Sequence, residues 1–260
     1  MVGMVDPHVR EQLQAECERG QEQLIATDYL AAAATLAGAE AAAWDAGDFD
    51  TLARLYMPLQ EARRQIRLRC GEGAVGTRVF VGRMDEPELD LTADEMMLDL
   101  YPHGQFMVRQ TASVSVAAAV RRRAAERRLY VEVLMAAFYP APGQHETGAG
   151  TTILVPTADT RLPARGGLAD GLPRGCLRID PTEMPVMTDH GTPATFAAVS
   201  ALWERLHAPF LAAADAEPDA VRRMALYRRT IEVDPACEFA HQRLSTTARD
   251  LARQLARRRD

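Results

Sequence analysis

The chain has 260 residues, 47% of them hydrophobic and 25% charged, with a formal net charge of −6. That composition belongs to a globular protein long enough to bury a core in one large domain or two modest ones, and the acidic balance argues against a broad nucleic-acid surface, which needs a basic face. All 30 basic residues are Arg, which excludes Schiff-base lysine chemistry and the lysine of a phosphate-binding P-loop.

The four cysteines, Cys17, Cys70, Cys176 and Cys237, are far apart in the chain. A zinc or redox motif brings two ligands within a few residues, so the expectation is four reduced thiols, several of them buried. No apolar run approaches 18 residues, and the charged N-terminus has no apolar signal core. The expectation is a cytoplasmic protein with no membrane span and no cofactor.

Residues 7–46 read as helix, opened by Pro7 and rich in Ala after Tyr29, with Gly20 as a candidate interruption. Gly47 fits a helix C-cap, and Asp48 or Asp50 fits the next N-cap. A second helix follows to about Leu68, where Pro58 predicts a kink or a break. The period then changes. Residues 78–81 read as a strand, 85–90 as an acidic loop, and Thr92 with Glu95 as a capping box before a short helix to Leu100. Residues 105–110 read as a second strand, 113–128 as an Arg-rich helix, and 130–138 as a third strand buried on both faces. Strand, helix, strand with short connections is a βαβ unit, which implies parallel pairing. Two more strands are expected at 152–156 and 176–179, with Gly- and Pro-rich loops around them. From Pro193 the helical period returns, with further helices at 219–233 and 238–257 separated by Pro235.

The fold class that follows is α/β: a small, mostly parallel sheet of four or five strands flanked by helical N- and C-terminal segments. The boundaries read as 1–76 helical, 77–192 α/β and 193–260 helical.

The run Tyr227-Arg-Arg-Thr-Ile-Glu-Val-Asp-Pro235, followed by Ala240 and Leu244, resembles a junction between tetratricopeptide (TPR) repeats. Tyr227 takes the aromatic place, and Ile231, Val233, Asp234 and Pro235 take the ending. Arg223, Thr230 and Ser245 depart from the small residues usual there. Gly47-Asp48-Phe49 with Leu52 and Tyr56 resembles the turn inside a repeat. Stacked repeats of this kind offer a groove to a protein partner, so the resemblance implies a non-enzymatic interaction module.

In the middle, Phe106 to Ser115, the Arg-rich helix and Tyr130-Val-Glu-Val resemble one unit of a sugar isomerase (SIS) domain, although bulkier residues stand where that family carries Gly. The resemblance implies a sugar-phosphate or small-anion site on Arg109, Thr111, Ser113 and Ser115, with or without catalysis. The free N–H groups and dipole of a helix N-terminus favour an anion there. The plainer reading of Ser113 is an N-cap.

Other residues carry less. His190 lies in a loop beside Asp189, but no Gly-x-Ser-x-Gly elbow occurs to complete a hydrolase site. The acidic run Asp85 to Glu95 lacks the spacing and Gly of a calcium loop. Arg121, Arg122, Arg123, Arg127 and Arg128, and the tail Arg253, Arg257, Arg258 and Arg259, read as solvated faces.

Overall fold

A computed structural model describes residues 6–80, 95–144, 149–164, 168 and 171–258. Its contacts divide the chain into two compact units: 1–66 together with 210–260, and 67–209. The first unit is built from helices at both ends of the sequence. The second carries the sheet.

In the helical unit, α1 (Pro7–Ile25) and α2 (Tyr29–Asp45) are followed by α3 (Phe49–Glu72), which continues into the second unit. The break between α1 and α2 falls at residues 26–28 rather than at Gly20. Thr27 turns the chain at φ 62°, and the Asp28 carboxylate caps α2 by accepting from Ala31 N–H at 3.2 Å. Gly20 serves packing instead: a Cβ there would lie 2.6 Å from the fully buried Leu36 side chain. Gly47 adopts φ 64°, and Asp48 caps α3 through Thr51 N–H at 3.1 Å and Thr51 Oγ1 at 2.8 Å. α3 runs through Pro58 without a break, with Leu55 and Leu59 on either side held in the core.

The C-terminal part of this unit takes the end of α5 (Pro193–Asp215), then α6 (Ala220–Val233) and α7 (Glu238–Arg257). α5 likewise runs through Pro209. Leu13 and Cys17 of α1, Leu36 and Ala39 of α2, Leu52, Tyr56 and Leu59 of α3, Met224, Tyr227 and Ile231 of α6, and Leu244 and Ala248 of α7 form one core. Thr230 and Ser245 are buried in it, and each hydroxyl is satisfied. Thr230 donates to Leu226 O at 3.0 Å, and Ser245 donates to Ala53 O at 2.7 Å, tying α7 to α3.

In the second unit, β1 (Ala74–Phe80), β2 (His103–Thr111), β3 (Tyr130–Pro140), β4 (Gly150–Leu154) and β5 (Leu177–Ile179) form a five-stranded mixed sheet in the order β1-β2-β3-β4-β5. The protein is α/β. The first three strands are parallel and the last two antiparallel. A dozen helical residues, α4 (Ser115–Glu126), make the crossover from β2 to β3, whereas β3 to β4 has none and must return antiparallel. One face of the sheet, with Phe106, Val108, Val133, Met135 and Ile153, packs on Val116, Ala117, Val120 and Ala124 of α4. After β5, a 3₁₀ turn at Pro181–Glu183 leads the chain to the outer edge of β1, where Val75 and Thr188 exchange backbone hydrogen bonds of 3.0 and 2.8 Å. β1 begins four residues before the expected strand, at Ala74. The capping box at Thr92 and the acidic run from Asp85 to Asp94 lie outside the described residues. No described helix is long and apolar enough to cross a membrane.

Candidate functional site

The loop between β2 and α4 holds the residues the sequence singles out. Strand alternation sends Arg109 and Thr111 to one face of the sheet and Gln110 to the other. Gln110, buried at 7% exposure, closes the start of α4. Its Oε1 accepts from Val116 N–H at 3.3 Å and from the Ser115 hydroxyl at 3.0 Å. Ser113 is not the N-cap. That place belongs to Val114, which makes no side-chain cap. The Ser113 Oγ accepts from Ser115 N–H at 3.1 Å. Ala112, at φ 48°, donates its N–H to Phe138 O at 3.0 Å and lets the chain turn.

The four candidates therefore separate into two places. Ser113 and Ser115 cluster with Gln110, and two N–H groups at the start of α4 are committed within the chain. Arg109 and Thr111 stand on the opposite face. There the Arg109 guanidinium lies 4.5 Å from the centre of the Phe138 ring, and its Nη1 donates to Thr152 Oγ1 at 3.3 Å, beside Met184 Sδ at 4.0 Å. Burial alone pushes the Arg109 pKa down, with no charged group contributing. Gln110 and Thr152 were not candidates from sequence. The signal for Gln110 was its place on the helix-facing side of β2, five residues ahead of a helix start. For Thr152 no local pattern pointed to Arg109, since their pairing depends on the order of β2, β3 and β4.

A second concave feature lies in the helical unit. α1 and α2 leave an open cleft of about 520 Å³ between them, lined by Val9, Gln12, Glu16 and Arg19 on one side and by Ala34, Thr35, Gly38 and Ala42 on the other. α2 presents almost no side-chain bulk here: nothing lies within 4 Å of where a Gly38 Cβ would stand.

The remaining sequence candidates have ordinary surroundings. His190 is exposed in its loop. Arg123 pairs with Glu95 at 3.4 Å and Arg127 with Asp99 at 2.8 Å, while Arg121 donates to Val133 O at 2.8 Å, so these arginines of α4 serve the unit itself. Cys17, Cys70 and Cys237 are buried free thiols, and Cys176 is a partly buried one. Burial raises the Cys176 pKa to about 11 and suppresses its thiolate.

Comparison of the chain with family models, with curated proteins and with solved structures finds no match.

Proposed function

We propose that this chain is a non-enzymatic protein-interaction module whose helical unit receives an amphipathic peptide segment of a partner in the α1/α2 cleft. The observation that carries this reading is the cleft itself, about 520 Å³ and open along two adjacent helices. Ala34, Gly38 and Ala42 recur at helical spacing on one wall, so a partner backbone can approach α2 closely. Gln12, Glu16 and Arg19 on the other wall offer a polar rim. An apolar floor with a polar edge fits a segment that is apolar on one side and polar on the other. The TPR-like hairpins agree with such a role. The start of α4 speaks less for an anion site, because Gln110 and Ser113 already accept from two of its N–H groups.

The test is selection from a displayed random-peptide library against the full chain, with Gly38→Trp as the paired bait. The substitution enters open space, so the fold is kept while the cleft is filled. Enriched amphipathic peptides that bind the wild type and lose at least tenfold affinity for Gly38→Trp support the reading. Enrichment of nothing, or equal binding to both baits, overturns it.

A further inference from the structure

We propose that Arg109, with the hydroxyl of Thr152, forms an oxyanion-binding site on the sheet face opposite α4, for a phosphate or carboxylate group. The site is independent of the cleft in the helical unit and separate from the start of α4.

Arg67, another partly buried arginine of this unit, is held by a carboxylate: it donates through Nε and Nη2 to Glu132 Oε1 at 2.9 and 2.7 Å. Arg109 has no carboxylate among the described residues. Its Nε is buried without a hydrogen-bond partner. A guanidinium taken from water normally gains a counter-charge, because leaving it unpaired costs free energy. Stacking on Phe138 offsets part of that cost and fixes the plane of the group. What it leaves is the outer edge. Nη1 is oriented by Thr152 Oγ1, and Nη2 makes no hydrogen bond among the described residues and is not among the buried unpaired nitrogens. Since Thr152 accepts from Arg109, its own proton is free to donate outward. An anion approaching end-on meets Nη1, Nη2 and that hydroxyl.

The position agrees. Arg109 and Phe138 stand near the carboxyl ends of the parallel strands β2 and β3, the end of an open α/β sheet where ligands bind. In register with Phe138 on β2 is Thr111, whose hydroxyl makes no hydrogen bond among the described residues. Arg78 is also stacked, 4.1 Å from the Tyr101 ring centre, but its Nε and Nη2 are both buried, so it offers no comparable edge.

The experiment is thermal unfolding of the full chain in inorganic phosphate and in acetate, each replacing sodium chloride at constant ionic strength. Binding to the folded state raises the midpoint with anion concentration. The expected result is a rise in the wild type with phosphate, with acetate or with both, the pattern assigning the class of anion. Arg109→Gln, which removes an unpaired charge and so is not a folding hazard, is expected to weaken binding at least tenfold. Thr152→Val keeps the shape and is expected to weaken it several-fold. Ser113→Ala is expected to change nothing. No rise in the wild type with either anion, a full rise in Arg109→Gln, or loss of the rise in Ser113→Ala alone would overturn the proposal. The last outcome would place the anion at the start of α4.

Discussion

The helical unit and the sheet unit treat their semi-buried charges differently. In the helical unit, Glu40 of α2 sits at the centre of a closed network. Arg228 of α6 reaches it through Nε at 2.7 Å and Nη2 at 3.2 Å, and Tyr56 of α3 donates to it at 2.8 Å. Arg228 also stacks 4.4 Å from the Trp44 ring centre. Arg63 of α3 meets His241 of α7 at 3.1 Å. These bonds join helices from opposite ends of the sequence. In the sheet unit, Arg67 and Glu132 are matched in the same way, with Gln105 as a third member at 2.7 Å, while Arg109 is left with a hydroxyl and a ring. The contrast teaches that closed networks here belong to assembly of the fold, and that the open one is available to something else.

The comparison breaks first at Glu40. If the network holds the two ends of the chain together, Glu40→Ala leaves the Arg228 charge and the Tyr56 hydroxyl uncompensated and costs about 3 kcal/mol. Urea denaturation measures this. The double variant Glu40→Ala with Arg228→Ala should cost less than the sum of the two singles. A loss within about 0.5 kcal/mol for Glu40→Ala, the range of an exposed pair, would show that the network is incidental.

His241 sharpens it through pH. The ring is fully buried, its Nδ1–H donates to Cys237 O at 2.8 Å, and its Nε2 accepts from Arg63. The acceptor role of Nε2 requires the neutral ring, whereas the Nδ1–H bond is made by either form. Burial, with the Arg63 charge adding to it, lowers the pKa to about 3, against opposition from the Cys237 carbonyl and Asp234. The unfolded chain, with an ordinary histidine near 6.5, binds the proton more readily. Stability from this group is therefore complete above pH 6.5 and falls as pH drops from there toward 3, by on the order of 2 kcal/mol between pH 7 and 5. Denaturant melts across that range should show the slope in the wild type, and His241→Gln should flatten it. An unchanged slope in the variant would assign it to the carboxylates.

Much of this architecture was legible in the chain. A cap for α3 at Asp48 or Asp50, of which the structure takes Asp48, the change of period before β1, and the helix between β2 and β3 follow from local chemistry, and so does the α/β class. What was not legible depends on partners far away in sequence. Gly20 reads as a helix breaker until Leu36 is seen against it. Thr230 and Ser245 read as misfits in a small-residue position until Leu226 O and Ala53 O accept their protons. The four residues Arg109, Thr111, Ser113 and Ser115 share one parity and read as one loop, but β2 ends at Thr111 and the turn at Ala112 brings Ser115 to Gln110 on the other side of the strand. The spacing gave no sign of that turn, and which face α4 covers was fixed only by packing.

The smallest effect separates two glycines on the same helix pair. Gly20 on α1 faces the fully buried Leu36, whose side chain lies 2.6 Å from where a Cβ would stand, so Gly20→Ala overpacks the interface and costs about 1.5 kcal/mol. Gly38 on α2 faces open space. There the methyl touches nothing, and the gain in helix propensity makes Gly38→Ala stabilising by about 0.7 kcal/mol. Thermal midpoints of the two variants should move in opposite directions. If Gly38→Ala destabilised the chain, the cleft wall would have to be closed in solution, and the reading of that cleft as a docking groove would fail with it. A small rise leaves the groove open and shows that its glycine is kept at a cost to stability, as expected of a position held clear for a partner's backbone.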